Sequence, residues 1–137
     1  MPAPDPCPCG SGHPFDRCCR PLHAGERQAS TAEELMRSRY SAYAVGDLDY
    51  VWRTWHPRTR PQSLTPSDEV WTGLEILGVV GGQPGDDGGV VEFLARYRRK
   101  RRSGTGAREE HKGVLHERSH FAVRARRWLY VDGELFS

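Results

Sequence analysis

All the chain's cysteines fall within thirteen residues: Cys7, Cys9, Cys18 and Cys19 in CPCGSGHPFDRCC, a C-x-C-x8-C-C pattern. Nothing else in the sequence constrains the fold as strongly, because thiols this close must end either in disulfides or on a metal. Four cysteines allow three pairings, and the one that joins neighbours Cys18 and Cys19 is strained. The opening MPAPDPCPCG has neither a basic stretch nor an apolar run, so no secretory signal is expected and the chain should stay in the cytoplasm, where thiols are kept reduced. That counts against the other two pairings.

The alternative is one tetrahedral ion gripped by two close cysteine pairs, with zinc–sulfur distances of about 2.3 Å. Gly10, Ser11 and Gly12 can turn tightly and aim backbone N–H groups at sulfur. His13, Arg17 and Arg20 stand close enough in sequence to offset part of the negative charge that four thiolates leave on Zn²⁺. Iron is the next metal that suits four sulfurs. Four protein ligands leave no open position for water or substrate, so the expected role is structural, one zinc per chain stapling the N-terminus. A docking surface on the same module is the second option.

This stretch resembles the SEC-C motif, named for the zinc-binding tail of the SecA preprotein translocase, whose pattern is C-x-C-x-S-G followed by C-H or C-C. Cys7, Cys9, Ser11, Gly12, Cys18 and Cys19 match it. In the translocase the module is an interaction surface.

The remaining sequence reads as helices and then strands. Thr31 and Glu34 form a capping-box pattern before AEELMRSRYSAYAV, where Met36, Tyr40 and Tyr43 recur at helical spacing, and Gly46 is a C-cap signal. LDYVWRTW suggests a short second helix, and residues 57–69 a Pro-rich loop. From Trp71 the pattern is β: WTGLEILGVV and GVVEFLARYRR flank the turn GGQPGDDG, and HKGVLHERSHFAVRA and RRWLYVDGELF follow a loop containing SGTG. Asp132–Gly133 is read as a further turn. The expected fold class is α+β, a four-stranded antiparallel sheet packed on two or three helices. The expected division is a zinc knuckle at 1–24 and an α+β domain at 25–137.

Alternation in the third strand places Leu115, Glu117, Ser119, Phe121 and Val123 on the face toward the helices, with His116, Arg118 and His120 opposite. A carboxylate on an apolar face must pair, hold water or shift its pKa. Glu117 is therefore expected either to pair with Arg37 or Arg39, tying sheet to helix, or to line a pocket. His116 and His120 stand about 13 Å apart along a strand and cannot share a metal without a third element.

Together with the SEC-C segment, LMRSRYSAY, TWHP and HERSHF resemble the bacterial YchJ-like family, small proteins without an established function. The resemblance covers roughly residues 7–133. It implies a central domain of the nuclear transport factor 2-like fold, a curved sheet wrapped around helices into a cone. That fold hosts both enzymes and binding proteins, so it does not assign chemistry.

Tyr40, Trp55, His56, Glu117 and Ser119 are the expected pocket residues. The expected function is binding of a small molecule or protein segment in the cone, without catalysis. An enzyme, a hydrolase or isomerase, is the alternative, with Glu117 as base beside His56 or Tyr40. Trp52, Trp55 and Trp71 are otherwise expected in the core. The basic run RYRRKRR at 96–102 offers phosphate contacts for a nucleic-acid or ribosome accessory, though a solvated hairpin tip is the preferred reading. The net charge of +2 argues against a dedicated polyanion binder. No run of about 20 apolar residues exists to span a membrane. The wet outer face bearing His116, Arg118 and His120 favours a monomer.

Overall fold

The computed structural model describes residues 5–102 and 108–136, apart from the side chains of 100–102 and 108–109. A 3₁₀ turn at Phe15–Arg17 and a short helix α1 (Arg20–His23) lead into α2 (Ala32–Val45) and α3 (Leu48–Arg53). Four strands follow, β1 (Glu69–Gly81), β2 (Gly88–Arg102), β3 (Arg108–Arg124) and β4 (Arg127–Phe136). They form one antiparallel meander in the order β1-β2-β3-β4. This is the α+β arrangement that the sequence predicts.

The capping signals of α2 act as read. Thr31 Oγ1 accepts from Glu34 N at 3.0 Å, and Gly46 takes the left-handed conformation at the C-cap. Glu34 reaches back one residue further than a standard capping box, accepting from Ser30 N at 3.0 Å. Leu35, Met36 and Tyr40 on α2 pack against Val91, Phe93, Ala95, Phe121 and Trp128 of the sheet. Each large apolar side chain buried there contributes about 1.5–3 kcal/mol. Gly82 lets the first hairpin approach the start of α2: its carbonyl accepts from Ala32 N at 2.9 Å, and a Cβ on it would lie 2.7 Å from that of Ala32. A second cluster of Leu22, Ala42, Tyr50 and Val51 joins α1, α2 and α3.

Two expectations about the strands are corrected. Asp132–Gly133 is not a turn: β4 runs through it to Phe136, paired with β3 to His116. Pairing passes from Phe121–Tyr130 to His120–Asp132, so Val131 is the extra residue of a bulge. The chain reverses instead at Ala125–Arg126, both with positive φ (51° and 66°), as a two-residue hairpin requires. The basic run is likewise no hairpin tip. Its backbone belongs to β2, while Ser103–Ala107, including the expected SGTG loop, lie outside the described residues.

Beyond β4, residues 54–56 close the sheet edge. Tyr130 N donates to Thr54 O at 2.9 Å, and His56 N donates to Tyr130 O at 2.7 Å. This short pairing sets Trp55 beside Tyr130, ring edge to ring face at 5.1 Å.

Candidate functional site

At the N-terminus, Cys7 N donates to His13 O at 2.9 Å and Phe15 N to Asp5 O at 3.0 Å, folding the arms of the loop together. Gly10 and Gly12 make the reversal between them with φ of 80° and 86°, a region closed to most side-chain-bearing residues. The four sulfurs thereby converge, all within 4.8 Å of one another, with Cys9–Cys18 at 3.6 Å and Cys18–Cys19 at 3.9 Å. A disulfide needs about 2.05 Å, and the cysteines are free. A regular tetrahedron with 2.3 Å bonds places sulfurs about 3.8 Å apart, so the donor set fits an ion of zinc's size. Cys7, Cys9 and Cys19 are buried, and Ser11 Oγ sits 3.1 Å from Cys18 Sγ.

Helix α2 and the segment before it hold the knuckle from outside the motif. Arg37 Nη1 donates to Cys9 O at 2.7 Å and Arg27 Nη2 to Cys18 O at 3.2 Å. Of the basic residues within the motif, Arg20 pairs with exposed Asp16, and His13 and Arg17 are exposed. Sequence proximity did not point to Arg37, which tertiary packing brings from 28 residues beyond Cys9. Without a metal, negative charge is favoured on Cys9 over Cys7 and Cys19. The Cys19 hydrogen bond pulls the Cys9 thiol down to about 4, whereas burial pushes Cys7 up to about 11. Cys19 is pushed far up by that bond to Cys9 and by burial.

Between α2 and the inner face of the sheet lies a cavity of about 370 Å³. Tyr40, Trp55, Glu117 and Ser119 line it. His56 does not: its Nδ1 accepts from Arg58 N at 3.1 Å, and the edge pairing of its backbone with Tyr130 faces the ring into the loop. Trp55 and Trp71 pack against the core clusters and also form cavity walls. Trp52, on α3, packs against the Pro-rich loop, where its indole N–H donates to Pro61 O at 2.9 Å and Arg60 covers its ring.

Glu117 meets neither Arg37, which pairs with Glu33 at 3.0 Å, nor Arg39 by a hydrogen bond. Its Oε2 accepts from Ser119 Oγ and, at 3.4 Å, from Tyr130 Oη. Burial first, then the Glu117 charge, pushes the Tyr130 phenol well above its usual range, so Tyr130 stays a donor. Arg39 is 6% exposed. Its Nη1 donates to Val51 O at 2.7 Å and Thr54 Oγ1 at 2.8 Å, and its guanidinium stacks over Tyr130 at 4.6 Å and Trp55 at 5.3 Å. Burial lowers its pKa, opposed by neighbouring tyrosines and Glu117. The role of Arg39 was hidden in the sequence, although it shares the helix face of Met36, Tyr40 and Tyr43. The inward alternation of Trp128 and Tyr130 was the available signal for Tyr130.

Opposite the cavity, His116 Nε2 lies 2.8 Å from Glu92, while His120 faces Asp132 and Glu134. The two histidines thus have separate partners. In the basic run, Arg96 pairs with Glu75 at 3.4 Å, Arg98 with Glu110 at 4.0 Å, and Arg99 with Glu69. The side chains of 100–102 lie outside the described residues. Among the described residues no helix is long and apolar enough to cross a membrane.

Residues 31–133 match the family described as YchJ, middle NTF2-like domain, and residues 4–21 match the SEC-C motif. The chain is 46% identical over 135 residues to a UPF0225 protein of Streptomyces coelicolor, covering 98% of both chains. It is similar to the solution structure of a SEC-C motif containing protein from Rhodopseudomonas palustris, with TM-score 0.75, 37% identity, and coverage of 97% of this chain and 100% of that one. A SEC-C motif containing protein from Psychrobacter arcticus shares the fold at TM-score 0.65 and 24% identity, with 97% and 84% covered.

Proposed function

The chain belongs to the YchJ-like, UPF0225 family, in which a SEC-C motif here precedes an NTF2-like domain, and from that premise we propose that it is a cytoplasmic zinc protein that binds a small molecule in its central cavity. Zinc on Cys7, Cys9, Cys18 and Cys19 would supply folding energy to the N-terminal segment and no reaction, since four thiolates close its coordination.

The observation that carries the binding role is the cavity itself, about 370 Å³ with mostly apolar walls and polar groups that include Arg39, Ser67, Glu117, Ser119, Tyr130 and Glu69, the last paired with Arg99. Ligand sites combine an apolar concavity with a few placed polar groups in this way. Small-fragment binding followed by ¹⁵N NMR tests it, with Ala95→Phe filling the cavity or, should that overpack, Leu115→Trp. Fragments should shift resonances of lining residues in the wild type and lose that effect in the folded, filled variant. Shifts that persist in the filled variant, or no shifts at all, would remove the proposal.

A catalytic reading has one observation in its favour: Glu117 lines an open cavity. Its base would then work beside Tyr130 rather than His56. Glu117→Gln should in that case abolish turnover of a bound compound at unchanged Tm.

A further inference from the structure

The polar groups of the cavity are unevenly satisfied, and their shortfall describes a ligand. Among the described residues, the hydrogen bonds of the Arg39 guanidinium use Nη1 alone, leaving the Nε and Nη2 edge without an acceptor. Trp55, against which Arg39 stacks, has a buried indole N–H with no hydrogen-bond partner. Both residues line the cavity. A buried guanidinium hydrogen-bonded only to neutral oxygens, beside a buried orphan donor, is a site lacking an anion. Arg forks and carboxylates are matched in shape as well as charge.

Glu117 is the counterpart. Oε2 takes two donors, while Oε1 has no hydrogen bond among the described residues. Tyr130 touches both ends: Arg39 lies over its ring face, 4.6 Å from the centroid, and Glu117 receives its hydroxyl at 3.4 Å. Between them the walls are flat: Tyr40, Trp71, Phe93 and Phe121.

Resting on the reading of the cavity as a ligand site, we propose that it takes a small planar carboxylic acid with a hydrogen-bond donor at its far end. The carboxylate sits on the N–H groups of Arg39 and Trp55, the ring between the aromatic walls, and the donor on Glu117.

Four probes test this by ¹⁵N NMR titration: 4-hydroxybenzoate, benzoate, neutral 4-hydroxybenzyl alcohol and cationic tyramine. 4-Hydroxybenzoate should bind best, about tenfold tighter than the alcohol, the gain expected of a charge-assisted hydrogen-bonded pair. It should also shift the Trp55 indole N–H resonance. Benzoate should be weaker than 4-hydroxybenzoate, and tyramine weakest. Arg39→Lys should remove most of the preference for acid over alcohol. Trp55→Phe, which keeps a ring and deletes the N–H, should reduce the ratio of acid to alcohol affinity, and serves if Arg39→Lys does not fold. Alcohol or amine binding as tightly as the acid would overturn the ligand class and leave the cavity reading intact. So would acid binding that moves other cavity resonances but not the Trp55 indole. If none of the four probes moves any cavity resonance, the ligand class and the cavity reading both fall.

Discussion

Gly133 sits where the Glu117 carboxylate crosses β4, and adding one methyl group there tests how firmly that carboxylate is held. A Cβ on Gly133 would lie 2.6 Å from Oε2 and 2.7 Å from Cδ of Glu117. Glycine to alanine at an unstrained strand position ordinarily stabilises by about 0.5–1 kcal/mol through the unfolded chain. In Gly133→Ala the Glu117 head must move, weakening the hydrogen bonds from Ser119 and Tyr130. Bonds to a charged group are worth about 1.5–3 kcal/mol each when buried, and the solvent-accessible cavity cuts that to about 1–2 kcal/mol for both. Net destabilisation of about 0.5–1 kcal/mol follows, a fall in Tm of about 2–4 °C at this chain length. In a Glu117→Ala background the clash disappears, and Gly133→Ala should raise Tm instead. Thermal unfolding of the four proteins in a double-mutant cycle should give a coupling of about 1.5 kcal/mol. A coupling below about 0.3 kcal/mol would refute the placement of Glu117 over Gly133.

Arg37→Ala should loosen the knuckle without harming the sheet. It removes the bond to Cys9 O, so amide exchange at residues 7–19 should quicken about 5–30-fold while β2 and β3 amides hold their rates; equal loss of protection in the strands would contradict this. Metal uptake should depend on pH in a defined direction. Cys7, with its thiol pushed up to about 11, and Cys19, pushed up further, hold protons at neutral pH in the metal-free knuckle, and zinc must displace them. Raising pH removes the competitor, so apparent affinity should climb at least about a hundredfold per unit near pH 7, with at least two protons released per ion in weakly buffered solution. Proton-neutral binding would contradict it.

The parts of the fold legible in the sequence were those set by local rules. The C-x-C-x8-C-C spacing anticipated the convergent sulfurs, Thr31 and Gly46 marked the ends of α2, and alternation placed Glu117 and Ser119 on the inner face of β3. The misreadings have tertiary causes. Asp132–Gly133 carries turn chemistry, but the length of β3 keeps it in a strand, and the true reversal at Ala125–Arg126 has no glycine or asparagine to announce it. Glycine at 133 answers instead to the carboxylate that crosses it. His56 looked functional beside Trp55, yet pairing of residues 54–56 with β4 aims only the tryptophan at the cavity. Alternation offers Arg37 or Arg39 as a partner for Glu117, and Arg39 makes its hydrogen bonds elsewhere. Its partners come from two distant segments, residues 51–55 and Tyr130 on β4, a convergence that no spacing along the chain reveals.

A closed four-sulfur metal site would leave the N-terminal segment a structural role and the cavity any ligand chemistry. X-ray absorption at the zinc edge, with elemental analysis of the purified chain, measures it directly. One zinc per chain with four sulfur neighbours at about 2.3 Å is the predicted result. A nitrogen or oxygen neighbour on the ion, or metal-free protein with its cysteines oxidised in pairs, would contradict it.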